Sequence, residues 1–379
     1  MPSPTTTLGD LISLQRGYDL TETQRRAGNV PIVGSAGVHG YHDTAKAKGP
    51  GVTLGRSGAS FGKVTFIRED FWPHNTTLFV TDFKSNEPSF IRYLLESIDF
   101  SSFNSGSAQQ SLNRNFLYPV KVPRFPLPEQ RRIASILSAY DELIENSQRR
   151  IQILETMARA LYREWFVHFR YPGHEKIPLV PSSLGKIPKG WEMKDAPECI
   201  YINPRVAVPR EGEKPFVPMG CLSNDSMLIS DIESRSGNSG SKFQNGDTLF
   251  ARITPCLENG KTGFVQFLPD SQAVAFGSTE FIVLRSRTLT PEFVYCLARS
   301  DEFRGTAIKS MSGATGRQRV QEKCFDQFQI AQPPRALLDQ FSAIVAPSFR
   351  LIYKLHLQIQ NLRRTRDLLL PRLLSCENV

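Results

Sequence analysis

The chain has 379 residues, 46 Lys+Arg against 37 Asp+Glu, a net charge of +9 and 40% hydrophobic residues. That apolar content supports packed cores and excludes wholesale disorder, and the length fits two or three domains. No apolar run approaches the roughly 20 residues of a membrane span, and Met1-Pro2-Ser3-Pro4-Thr5 shows no export signal. The six cysteines are scattered without C-x-x-C or zinc spacing. Free thiols in a soluble, cytoplasmic protein with no bound metal are expected.

In chain order, the first 120 residues predict short strands bounded by Gly, Pro, Asn and Asp, such as Val64–Ile67 and Thr77–Val80. A helix is predicted over Pro88–Ile98, with proline in its favoured first position. After the Pro123, Pro126, Pro128 hinge, good helix formers run from Leu127 to Phe169. Heptad positions a fall on Leu137, Ile144, Ile151, Ala158 and Trp165, and positions d on Tyr140, Ser147, Leu154 and Leu161. Residues 171–190 are rich in Pro and Gly and predict a linker. A second strand-rich stretch follows, with Glu280–Leu284 as a strand and Pro291–Phe303 as a helix. After Pro333-Pro334 comes a second heptad run: Val345, Ile352, Ile359, Arg366 and Leu373 at a, Ser348, Leu355, Leu362 and Leu369 at d. Pro347 and Pro371 are expected to break or kink it, leaving a straight section from about Phe349 to Leu370.

The chain repeats itself. Gly51-Val-Thr-Leu-Gly-Arg56 through Gly62-Lys63 corresponds to Gly246-Asp-Thr-Leu-Phe-Ala-Arg252 through Gly260-Lys261. Asn75–Val80 aligns with Ser278–Val283, and the polar run ending Gln109-Gln110-Ser-Leu aligns with that ending Arg317-Gln318-Arg319-Val. Each copy passes through prolines into its long helix, and the two helices are expected to pack on each other. Most of the excess charge lies on the helical segments: residues 121–170 carry 9 basic and 6 acidic groups, and residues 335–379 carry 7 and 3. Solvated helix faces and phosphate-facing ones both fit that excess.

Three stretches carry a family likeness: Pro126-Leu-Pro-Glu129-Gln130-Arg-Arg-Ile-Ala through Trp165-Phe, Gly185-Lys-Ile-Pro-Lys-Gly-Trp191-Glu192, and Gly313-Ala-Thr-Gly316-Arg-Gln-Arg-Val320. With them the chain resembles, over its whole length, the HsdS-like specificity (S) subunit of Type I restriction–modification systems. The resemblance implies an α+β fold: two similar mixed α/β target recognition domains separated by an antiparallel coiled coil, with pseudo-two-fold symmetry. The expected segments are residues 1–125 (first domain), 126–170 (first helix), 171–190 (linker), 191–334 (second domain) and 335–379 (second helix). It implies that each domain reads one half of an asymmetric, split double-stranded DNA site. The helices would set the spacer and bind two methyltransferase (M) subunits that methylate adenine, and restriction (R) subunits would add cleavage. S-adenosylmethionine, ATP and Mg belong on those partners, and this chain is expected to bind no cofactor and to be non-catalytic alone.

The residues agree on that last point. Neither Gly-Lys turn completes a phosphate-binding loop, since Ser57 and Pro255 occupy the position of the required first Gly. Asn203-Pro204-Arg205 lacks the second Pro and the aromatic residue of a methyltransferase loop, and His39, His42 and His74 lack diagnostic metal spacing. Base reading needs Arg, Asn, Gln and short polar side chains on exposed loops. The first module offers Arg56, Ser57, Lys63, Gln109, Gln110, Asn113 and Arg114; the second offers Arg252, Thr254, Asn259, Lys261, Arg317, Gln318 and Arg319. The alternative is that Arg56 and Arg252 pair with carboxylates inside their modules. Ile144, Ile151, Leu154, Leu161, Ile352, Leu355, Ile359, Leu362 and Leu369 are expected in the helix seam. Tyr162, Trp165 and Phe166 exceed what the seam needs and are expected to contact an M subunit, with burial against the adjoining domain as the alternative.

Overall fold

Short alternating runs do form the strands of the first module. In the computed structural model, which describes residues 4–103, 111–314 and 316–375, they are β1 (Thr5–Thr7), α1 (Leu8–Leu11), β2 (Ser13–Arg16), β3 (Val30–Gly34), β4 (Gly37–His42), β5 (Gly51–Gly55), β6 (Val64–Ile67), β7 (Trp72–Pro73), β8 (Thr77–Asp82), α2 (Pro88–Glu96), α3 (Arg114–Leu117) and β9 (Lys121–Pro123), followed by the long α4 (Leu127–Tyr162). After a hairpin of β10 (Leu179–Ser182) and β11 (Gly185–Pro188), the second module contains β12 (Glu192–Asp195), α5 (Ala196–Cys199), β13 (Ile200–Ile202), β14 (Lys214–Val217), β15 (Glu233–Arg235), β16 (Ser241–Phe243), β17 (Thr248–Ala251), β18 (Thr262–Phe264), β19 (Ala275–Gly277), β20 (Phe281–Ser286), α6 (Pro291–Ala298), α7 (Asp301–Lys309) and β21 (Gln329–Gln332), and leads into α8 (Arg335–Ser375).

The two modules share one topology. An antiparallel sheet of order β2-β8-β5-β6 recurs as β13-β20-β17-β18. A second sheet, β4-β3-β7, recurs as β15-β14-β19-β16 with one strand added. Both second sheets contain one parallel pair, β3 with β7 and β14 with β19. The pairs β1–β9 and β12–β21 close each module between its first and last strands.

Register corrects the sequence alignment in one place. Gly55 pairs with Thr77 and Ala251 with Phe281, so Thr77 corresponds to Phe281. The alignment of Asn75–Val80 with Ser278–Val283 is therefore displaced by one residue. In a strand, that slip exchanges the two faces.

Two further expectations change. The helix expected over Pro291–Phe303 is two helices, because Ser300 is extended and its side chain accepts from the Phe303 amide, restarting the chain as α7. Residues 171–190, expected as a linker, contain the β10–β11 hairpin, and Tyr171 is buried with its ring stacked 5.7 Å from Trp191.

The chain forms two compact units, residues 1–145 with 360–379, and residues 146–359. Both long helices thus divide between units. In the first unit Ile133, Ala134 and Leu137 of α4 share a core with Leu373 and Leu374 of α8 and with Phe90, Ile91, Leu94 and Leu95 of α2. Each such fully buried aliphatic side chain contributes about 1.5–3 kcal/mol. In the second unit Trp165 and Phe166 meet Phe341, with ring centroids 6.1 and 5.0 Å away. Within the first unit Ile133 and Leu137 share a core with Leu373 and Leu374 while Asp141 meets Arg366, so the helices run antiparallel there.

The residues expected in the seam are all at least partly covered. Ile144, Ile151, Ile352, Leu355 and Ile359 are buried, and Leu154, Leu161, Leu362 and Leu369 are half-buried. Arg366, the anomalous seam residue, has a partner: its Nη1 donates to Asp141 Oδ1 at 2.6 Å. Pro347 and Pro371, expected to break or kink the helix, lie inside an unbroken α8. Both are exposed, as are Ala343 and Asp367 four residues earlier. The carbonyls that lose an N–H partner sit on the solvated side, which lowers the penalty.

Candidate nucleic-acid interface

At the end of β5 the backbone of Arg56 is clamped from both sides. Its N–H donates to Thr76 O at 2.9 Å, and its carbonyl accepts from Leu112 N at 2.9 Å. The second module repeats the clamp: Arg252 N–H donates to Glu280 O at 3.0 Å, and its carbonyl accepts from Val320 N at 2.8 Å. Bridges Ser57–Ser111 and Ile253–Arg319 extend both clamps. Lys63 Nζ donates to Ala36 O at 2.6 Å and Lys261 Nζ to Met219 O at 3.0 Å, each two residues past the equivalent strands β3 and β14. These lysines pin a loop, so the repeat explains them structurally rather than as free DNA contacts.

The side chains at the clamps diverge. In the first unit Arg56 lines an open depression of about 830 Å³ with Gln15, Arg16, Tyr18, Asp19, Asn113, Arg114 and Asn115. The Arg56 guanidinium has no hydrogen-bond or ion-pair partner among the described residues. Arg16 makes one exposed pair with Asp19 at 3.3 Å. Arg114 is partly committed, donating to Leu14 O at 3.0 Å, and Asn113 caps α3 by accepting from Asn115 N at 3.0 Å. Gln109 and Gln110 lie outside the described residues. In the second unit Arg252 donates to Glu322 at 2.7 Å and to Val320 O at 3.3 Å, and Glu322 also accepts from Asn203. Arg319 is held by both oxygens of Glu280, at 2.7–3.0 Å. Thr254 exchanges hydrogen bonds with the Gln318 backbone. Arg317 and Asn259 remain exposed.

Residues 3–156 match Methylase_S, the Type I restriction modification DNA specificity domain. The Type I restriction enzyme MjaIX specificity subunit of Methanocaldococcus jannaschii is 26% identical over 307 residues, which cover 76% of this chain and 68% of that protein. The Escherichia coli EcoEI specificity subunit is 33% identical over 156 residues, covering 39% of this chain and 26% of that one. The crystal structure of the Type I restriction–modification S subunit from M. genitalium superposes over 99% of this chain and 96% of its own with a TM-score of 0.63 at 15% identity, a likeness of fold. The chain is thus similar to Type I specificity subunits, with residues 3–156 matching their domain model.

The remaining candidates fall differently from expectation. Tyr162, Trp165 and Phe166, expected at a partner contact, are 7%, 6% and 7% exposed. Tyr162 and Phe166 pack edge-on against Phe293 of α6 (5.0 and 4.7 Å), and Phe166 against Trp191 and Phe341. They are covered by their own unit because α6 offers an aromatic surface to the end of α4. Of the histidines, His39 and His74 meet edge to face at 5.2 Å, with Arg25 3.3 Å from His39. Among the described residues no three His, Cys, Asp or Glu side chains gather to hold a metal, and no helix is long and apolar enough to cross a membrane. The five described cysteines are free thiols.

Sequence reasoning missed Gln15, Arg16 and Asn115, which join Arg56 in the depression. It also missed Glu280 and Glu322, which neutralise the second module's arginines. Gln15 and Arg16 end an unremarkable alternating strand. The carboxylates lie 28 and 70 residues beyond Arg252, and only the fold brings them close.

Proposed function

We propose that this chain is the DNA-reading subunit of a Type I restriction–modification complex, each module reading one half of an asymmetric, split duplex site. The observation that carries this is the repeated clamp around Arg56 and Arg252: one backbone frame, two different sets of polar side chains. Two copies of one clamp frame that present different side chains recognise two different half-sites. The long helices set the distance between half-sites and bind two M subunits, which methylate adenine after extruding it from the duplex. R subunits add cleavage. S-adenosylmethionine, ATP and Mg act on those partners.

Single-molecule methylome sequencing of cells expressing the chain with its M subunit tests this. The expected product is one bipartite, asymmetric methyladenine motif. Adding one helical turn to both α4 and α8 lengthens each by about 5 Å, so the spacer between half-sites should grow by one or two base pairs. A contiguous motif, or an unchanged spacer in the lengthened variant, would refute the reading.

A further inference from the structure

Apart from the clamps at Arg56 and Arg252, the end of α4 in the second unit borders a half-open cavity of about 280 Å³ lined on its other side by the start of α7. Arg159, Arg163 and Arg299 line it. Arg299 is only 7% exposed, and its side-chain hydrogen bonds go from Nη1 to two carbonyls, Asn224 at 3.2 Å and Gly260 at 2.6 Å. No carboxylate among the described residues pairs with it. A buried guanidinium without a counter-ion is costly, and the cost falls when an anion arrives. Arg159 and Arg163 are exposed and also lack an ion pair among the described residues. Behind them, Arg304 has a buried Nη1 with no hydrogen-bond partner. Burial first, then the charges of Arg299 and Arg159, hold Arg304 below the ordinary arginine range.

An apolar groove adjoins the cavity, sharing Tyr162, Val167 and Glu302 and lined further by Phe169, Leu184 and Phe328. Here α4 ends in a π-turn over Arg163–Val167, and Phe169 adopts a left-handed φ of 59°. Both are departures that a fold retains where local shape has a use. Asp301 and Glu302 at the cavity rim disfavour a polyanion such as a DNA backbone but admit one carboxylate beside the arginines.

We propose that cavity and groove together dock an acidic–apolar segment, one Asp or Glu beside aliphatic or aromatic side chains, of a protein subunit in the same complex. This rests on the specificity-subunit reading and adds where that subunit engages. Arg299 also holds the Gly260 carbonyl, so the docking site and the loop carrying Asn259 and Lys261 share that side chain.

The test measures affinity of the full chain for the Type I M subunit it is proposed to serve, by calorimetry or sedimentation. The double variant Arg159→Glu/Arg163→Glu alters only exposed side chains and should keep the wild-type melting temperature while weakening binding about tenfold or more. Arg159→Lys/Arg163→Lys should retain most of the affinity, and Leu184→Asp, on the groove side, should weaken it. Unchanged affinity in the charge-reversed variant overturns the docking site alone. So does intact subunit binding with weakened DNA binding, which would mean that the arginines face phosphate. A wild-type chain that fails to bind the M subunit at all overturns the specificity-subunit reading beneath it.

Discussion

Replacing Arg56 by Ala separates reading DNA from holding the fold. The backbone bonds to Thr76 and Leu112 do not depend on the side chain, and the guanidinium has no partner among the described residues. Stability should therefore change by less than about 0.5 kcal/mol. A bidentate Arg–guanine contact is worth about 1–3 kcal/mol, so affinity for one half-site should fall about 5- to 150-fold. Arg252→Ala should behave oppositely. It removes an ion pair at 2.7 Å whose side chains are 25% and 34% exposed, and leaves Glu322 with Asn203 alone. After allowing for solvent screening, the cost to stability is about 1–2 kcal/mol, with a small direct effect on binding. Thermal melting and competition binding with duplexes altered in either half-site measure both quantities. If Arg56→Ala melts as early as Arg252→Ala, or discriminates every position as well as wild type, the assignment of Arg56 as a reader is wrong.

Three other perturbations follow from the same structure. Glu155 of α4 is 3% exposed and accepts from Ser226 Oγ (3.1 Å), Met227 N (2.9 Å) and Tyr295 OH (2.5 Å), so Glu155→Ala strands three donors and should cost about 3–5 kcal/mol in urea unfolding; a loss under 1 kcal/mol would show that water replaces it easily. Arg366→Leu should destabilise the first unit, because among the described residues Asp141 is left with Tyr93 and Arg92, whereas adding Asp141→Asn should recover much of the loss; two additive losses would show that the pair is not coupled. Partial burial, then the charges of His39 and Arg25, hold His74 below the ordinary histidine pKa. Its contribution to stability is therefore complete above about pH 6.5 and is lost as pH falls below it, and His74→Gln should flatten that slope in melting scans from pH 7.5 to 5.5.

The buried stripe of α4 was legible because a seven-residue period is written locally. Leu137, Ile144, Ile151 and Ala158 declare one face of α4 without reference to the rest of the chain, and all four are buried. The prolines of α8 misled for the opposite reason. Propensity describes an isolated turn, while here the cost falls on exposed carbonyls and the packed face is untouched. The aromatic end of α4 was ambiguous because a buried cluster and a partner contact have the same composition. Only Phe293 and Phe341, 127 and 175 residues after Phe166, decide between them. The ledge was half legible. The repeat located Arg56 and Arg252, but one letter in one repeat position had two fates. The difference lies in Glu322, which pairs with Arg252, while Glu280, at the position of Thr76, takes the neighbouring Arg319.

That difference also reinterprets the charge. The net +9 suggests a broadly basic DNA binder, yet the second module cancels its ledge arginines with its own carboxylates while the first leaves Arg56 open. Under the proposed function, half-site discrimination in the second module then falls to exposed groups such as Arg317 and Asn259, and in the first to Arg56 with Gln15 and Arg16. The clamps that position both ledges are bonds between backbone groups, which every residue except proline can make. Side chains there can change without loss of the frame. A frame held by backbone and read by side chains allows specificity to drift while the fold stays fixed, which is what two copies of one topology with different ledges require.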